Sequence, residues 1–104
     1  MKIGVPKETR PGERRVALVP ESGKKLIQAG YTVAIEAGAG QSAFFSDQAY
    51  RDVGAAVEPD PAAMLGSADL VIKINPPAVG GTAGRNEVEW MRPGTLFLGS
   101  LMPL

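Results

Sequence analysis

The 104-residue sequence contains no cysteine and no histidine. Without cysteine there can be no disulfides, thiolate metal sites or thiol nucleophiles. Without histidine, the side chain best suited to carrying protons near neutral pH is missing. Net charge is absent as well. Eleven basic and eleven acidic residues cancel, so no global charge draws the chain to nucleic acid or to an anionic membrane. The opening Met1-Lys2-Ile3-Gly4-Val5-Pro6 has no apolar run long enough for a signal peptide, and no later run could span a bilayer. A cysteine-free chain is compatible with a cytoplasmic setting without establishing it.

What is present is the composition of a folded domain. At 44% hydrophobic and 21% charged residues, the chain lies in the globular range and outside the disordered one. A chain of this length buries roughly 60–70% of its extended surface, enough for one core. The charge is unevenly spread. The first 25 residues hold seven basic groups (Lys2, Lys7, Arg10, Arg14, Arg15, Lys24, Lys25) against three acids, Glu8, Glu13 and Glu21. That local excess could attract an anion.

Short apolar runs alternate with helical patterns, which predicts a parallel α/β sheet flanked by helices. The runs are Ile3–Val5, Thr32–Ile35, Ala56–Val57, Leu70–Ile74 and Leu96–Leu98. Pro20 suits a first helical turn, and Val19, Gly23, Leu26, Ile27 and Gly30 then share a face. Ser46 is a good N-cap, and Phe45 and Tyr50 form a hydrophobic staple around it. Asp60-Pro61 opens a short third helix through Met64 and Leu65. Pro76–Arg92 is less regular: Gly80–Gly84 reads as a loop, and Asn86 can cap a brief helix through Trp90. Leu101–Leu104 directly follow an apolar strand with no covering helix, so the fold is expected to be truncated there.

Open α/β sheets bind ligands at the carboxyl ends of their strands. Gly38-Ala39-Gly40-Gln41-Ser42-Ala43 matches G-x-G-x-x-A after a strand, but a dinucleotide site also needs a helix opening at once. Here the next helix is delayed to Ser46, and Asp60 is better explained as a cap. The motif therefore reads as a glycine turn needing positive φ, and no cofactor contact is assigned to it. Arg15 and Lys73 are the candidate substrate-binding pair. Arginine can grip a carboxylate with two parallel hydrogen bonds and lysine can add a point charge. The structural alternative stays open: Lys73 reaches out at a strand end, and Arg15 pairs with Glu8, Glu13 or Glu36. Asp69 and Glu36 would serve as general acid or base only if burial raised their pKa values.

Met1–Glu8, followed by Pro11-Gly12-Glu13-Arg14-Arg15-Val16-Ala17-Leu18-Val19-Pro20, resembles the start shared by alanine dehydrogenases and transhydrogenase α subunits. Gly38-Ala39-Gly40, Gly54-Ala55 and Asp69–Lys73 fall in similar order, so the resemblance covers nearly the whole chain. It implies that residues 1–104 form an N-terminal Rossmann-like (flavodoxin-like) domain, with the NAD-binding domain absent. NAD(H) is then a cofactor of the complete protein, none being expected for this segment alone.

The resemblance separates two activities. The alanine dehydrogenase pattern holds its substrate with an Arg and a Lys, matched by Arg15 and Lys73, and has a catalytic His just after the last strand. Here that stretch reads Leu98-Gly99-Ser100-Leu101-Met102, and Met102 cannot carry a proton. The departure favours a proton-translocating NAD(P)⁺ transhydrogenase α subunit, an oxidoreductase and translocase passing hydride from NADH to NADP⁺. Expected partners are the remaining NAD-binding domain and the membrane and NADP-binding components, with a homodimer and no nucleic acid. The segment itself is expected to be soluble and held peripherally on the cytoplasmic side of the inner membrane. An alanine dehydrogenase-like segment and a free-standing, non-catalytic α/β module are the alternatives.

Overall fold

The computed structural model describes residues 1–9, 12–74 and 87–99. Five strands make one sheet: β1 (Lys2–Val5), β2 (Thr32–Glu36), β3 (Ala56–Glu58), β4 (Leu70–Lys73) and β5 (Leu96–Gly99). Their order is β3-β2-β1-β4-β5, and every neighbouring pair is parallel. This is the parallel α/β sheet that the alternating pattern predicts, and it has the Rossmann-like form that the resemblance implies. The chain builds outward from β1 to β3, then returns past β1 to lay down β4 and β5. Right-handed crossovers put the helices of the two walks on opposite faces. The strand order therefore reverses between β1 and β4, where their carboxyl ends part to leave a crevice.

Each helix starts where its end signal lies. α1 (Pro20–Gln28) has proline in its first turn, and Val19 before it is extended. Gly30, at φ 102°, turns the chain out of this helix while the Tyr31 amide donates to the Leu26 carbonyl at 3.1 Å. α2 (Asp47–Asp52) is capped by Ser46, whose hydroxyl accepts from the Ala49 amide. α3 (Pro61–Ser67) is capped by Asp60, which accepts from the amides of Ala62 and Ala63. α4 (Glu87–Trp90) falls where the brief last helix is expected. The Asn86 cap, the Gly80 loop, Arg10 and the Leu101–Leu104 terminus lie outside the described residues.

Two clusters sandwich the sheet. Ile3, Val5, Val33 and Ile35 point to one face, meeting Leu18 and Tyr50 below α1 and α2. Ala34 and Val71 point to the other, against Met64, Leu65 and Ala68 of the α3 side. Each fully buried aliphatic chain contributes about 1.5–3 kcal/mol. Gly4 permits the close approach of α3, since a Cβ there would stand 3.1 Å from that of Ala68.

The β4 strand ends one residue earlier than the apolar run suggests. The Ile74 amide leaves the ladder and donates to the Glu8 carboxylate at 2.8 Å.

Candidate functional site at the carboxyl ends of the central strands

β1 delivers residues 6–9 to the crevice and β4 delivers Lys73. The Lys73 ammonium is buried, 3.0 Å from Glu8 Oε1 and 3.5 Å from Glu87 Oε1, with all three side chains at most 2% exposed. Glu8 uses its second oxygen on the Ile74 amide, so one carboxylate fixes both the side chain and the backbone exit of β4. A buried ammonium needs such partners, because an unpaired charge in the interior is far too costly. Lys73 thus does not reach out to solvent.

Arg15 belongs to the same end of the sheet but to a different environment. Its guanidinium grips Glu13 through Nε and Nη2, both at 2.9 Å, and its own amide donates to the same carboxylate. The side chain is 58% exposed while that of Glu13 is 9% exposed. The hydrogen bond to Glu13, then the charge of Glu13 and more weakly that of Glu8, raise the Arg15 pKa further above its already high value. Of the three acids offered as Arg15 partners, Glu13 is the one that takes it. Glu8 goes to Lys73, and Glu36 accepts the Lys7 amide at 2.8 Å.

Beside this cluster lies an open hollow of about 240 Å³, lined by Ala17, Ile72, Lys73, Ile74, Leu98 and Gly99. Among the described residues Lys73 is its one charged lining residue. The Lys73 ammonium is turned into Glu8 and Glu87, so the hollow is lined mainly by apolar atoms, with Arg15 on the neighbouring segment that also carries Ala17. Asp69 has no part in it. It stands at the amino end of β4, where its carboxylate accepts the Lys2 amide at 2.8 Å and pairs with Arg92. Glu36 closes β2 at the opposite end, so the two carboxylates cannot work as a pair.

The glycine motif has local tasks. Gly38 takes φ 80°, the turn conformation expected of it. Gly40 has an ordinary φ of −93°, and it is glycine for another reason: a Cβ there would lie 2.7 Å from the Tyr50 ring and 2.9 Å from Phe45. Three of the loop's amides are already engaged. The Gly38 amide donates to Asp47 Oδ1 at 2.8 Å, that of Ala39 to the Glu36 carbonyl and that of Gln41 to the Gly38 carbonyl. A carboxylate therefore already sits where a pyrophosphate would have to approach, and these residues do not fit a dinucleotide.

Tyr50 ties this loop to the segment before α1. Its buried hydroxyl donates to the Leu18 carbonyl at 2.9 Å, and burial, with the nearby Asp47 charge, pushes its pKa up to about 12. Glu87 is the site residue that sequence reasoning missed. The signal was Lys73 itself, which required buried acids, but nothing in the irregular stretch before α4 marked which one would return.

Comparison with known proteins fits this geometry. A profile of the family described as "Alanine dehydrogenase/PNT, N-terminal domain" matches residues 4–104. The chain belongs to that family. It is 41% identical to the NAD(P) transhydrogenase subunit alpha of Cereibacter sphaeroides, over 99% of this chain and 18% of that protein. It is 42% identical to the alanine dehydrogenase of Halomonas elongata, over 74% of this chain and 21% of that one. The crystal structure of transhydrogenase from Sinorhizobium meliloti superposes with a TM-score of 0.84 at 34% identity, covering 95% of this chain and 27% of that chain. An L-alanine dehydrogenase structure superposes at 0.79 and 39% identity, covering 95% and 26%. The family members compared are oxidoreductases, and this chain spans about a quarter or less of their length.

Proposed function

We infer that the chain is the N-terminal segment of a proton-translocating NAD(P)⁺ transhydrogenase α subunit. It helps to wall the cleft in which NADH, held by a separate nucleotide-binding domain, passes hydride to NADP⁺ on another component. The observation that carries this reading is the missing histidine. Met102 occupies the stretch in which the alanine dehydrogenase pattern has its proton carrier, and there is no histidine elsewhere in the chain. Hydride transfer between two nicotinamides needs no acid or base. Proximity and orientation supply the rate, and a rigid parallel sheet is suited to holding such a wall. The Glu8–Lys73–Glu87 cluster agrees with this role, since it pins three segments together at the crevice. The complete protein would sit on the cytoplasmic side of the inner membrane, peripheral to it through partner subunits. No helix among the described residues is long and apolar enough to cross a membrane.

A second reading, an alanine dehydrogenase-like segment, is supported by the hollow that Lys73 lines and by the exposure of Arg15. In that case the pair would hold a small carboxylate or keto acid. The two readings are separated by assaying the complete polypeptide with its NADP-binding partner. Hydride transfer from NADH to an NADP⁺ analogue, without alanine-dependent NADH formation, is the expected result; alanine oxidation would overturn it. Titration of the present chain with NADH, followed through Trp90 fluorescence, should show no saturation below roughly millimolar concentration.

A further inference from the structure

Both cations that a small carboxylate would use already hold carboxylates of the chain itself. Lys73 is turned into Glu8 and Glu87. Arg15 meets Glu13 at two points: Nε donates to Oε2 and Nη2 to Oε1, each at 2.9 Å. Two parallel bonds to the two oxygens of one carboxylate are the geometry by which arginine recognises a carboxylate ligand. Here the occupant stands two residues earlier in the same chain.

The acid is the fixed member of this pair. The Glu13 side chain is 9% exposed, and its Oε2 also accepts the Arg15 amide at 2.9 Å. The guanidinium, on a side chain 58% exposed, folds back onto it. A pair so open to solvent adds little to stability, so the fold gains little from the arrangement. Its consequence for binding is larger. An internal carboxylate tethered this closely presents an effective concentration that is roughly millimolar or higher. A free carboxylate that binds no tighter than that is outcompeted. The outer edge of the guanidinium, at Nη1, offers no way round, because Glu13 already balances the charge that would attract an anion there.

We propose that Glu13 is a specificity-determining residue, whose carboxylate occupies the fork of Arg15 and keeps small carboxylates and keto acids out of the crevice. Its purpose rests on the transhydrogenase reading: beside a nicotinamide that gives up hydride, a bound keto acid would be a competing acceptor. Nicotinamide rings carry an amide and no carboxylate, so a closed fork leaves their exchange untouched. Discrimination here comes from an internal group that fills the place of the wrong ligand.

The test follows the Arg15 Nε–Hε resonance by NMR while acetate, and separately pyruvate, replaces chloride at constant ionic strength. The unaltered chain should show no saturation below roughly ten millimolar of either. Glu13→Gln keeps an oxygen for the Arg15 amide but removes the charge. A fork occupied about nine-tenths of the time weakens apparent binding about tenfold, so this variant should tighten both ligands by at least that factor. Glu13→Ala should act in the same direction. Adding Arg15→Gln to Glu13→Gln should abolish the gain, followed at the Ala17 amide. The inference is overturned if the unaltered chain already saturates below that concentration, or if the gain survives the loss of Arg15. It is overturned equally if both Glu13 variants bind no better or bind worse, for then Glu13 braces or orients Arg15. Occupancy and not turnover is read, so a failure of the transhydrogenase reading in the enzyme assay would leave this result standing.

Discussion

The two halves of the sheet are unequally covered on the α1–α2 face. Under α1 and α2, Ile3, Val5, Val33 and Ile35 are at most 2% exposed. On the same face of the sheet, Leu96 and Leu98 of β5 remain 61% and 52% exposed, although they stand in register with Leu70 and Ile72 of β4. Winding direction explains the contrast. Once the chain reverses past β1, right-handed crossovers carry its helices to the face of Val71 and Phe97, and α3 and α4 lie there. A strand added beyond β5 in the same direction would bring its helix over that face as well. Apolar content alone does not decide which face is buried; the direction of winding does.

The Glu8–Lys73–Glu87 cluster joins the two halves and offers the largest way to break the comparison. Lys73→Met leaves two buried carboxylates around a methyl thioether, and should cost about 3–5 kcal/mol in urea unfolding. Adding Glu8→Gln and Glu87→Leu removes the two carboxylate charges that Lys73 balanced while the glutamine carbonyl still accepts from Ile74. That triple variant should recover most of the loss. If it recovers none, the single change acts through packing and the charge argument fails.

The next test contrasts the covered and open parts directly. Ile35→Ala empties a fully buried site and should cost about 2–5 kcal/mol. Leu98→Ala removes a half-exposed side chain and should fall within about 0.5 kcal/mol of the parent. Equal losses at the two positions would mean that β5 is covered in solution. A smaller effect probes the tight packing on the α2 side: Gly40→Ala drives a methyl into Tyr50 and Phe45 and should cost about 1–3 kcal/mol by overpacking. A neutral Gly40→Ala, measured by thermal unfolding, would show that Tyr50 can withdraw without losing its bond to Leu18.

Much of this could be read from the residues, for identifiable reasons. Pro20, Ser46 and Asp60 mark helix starts through local chemistry, which needs no knowledge of the fold. The strands show as apolar runs because a parallel sheet is buried on both faces. What could not be read depends on distance in sequence. Glu8 and Lys73 lie 65 residues apart, and their pairing follows from strand order, which periodicity does not carry. Gly40 resembles a nucleotide-loop glycine in sequence, yet its space is filled by a ring ten positions later. Arg15 could be assigned to three acids, and only the path of residues 13–16 selects Glu13.

The smallest expected effect lies at the amino ends of the strands, in the less covered half, where Asp69 joins β1 to the turn before β5. The Lys2 amide, aided by the charge of Arg92, holds its carboxyl below the usual aspartate range, against a smaller opposing push from burial. A folded-state pKa below the unfolded one means that the contribution is fully present above the unfolded value, about 3.9. It fades as pH falls through the folded one, because the unfolded chain binds the proton more readily. Asp69→Asn should therefore flatten the acid limb of a stability–pH curve below about pH 4 and leave its slope near neutrality unchanged. Solvent screens this site, so the change should be far smaller than at Lys73. An acid limb left as steep as in the parent would mean that the amino-end linkage adds nothing to the junction beyond the β1–β4 ladder.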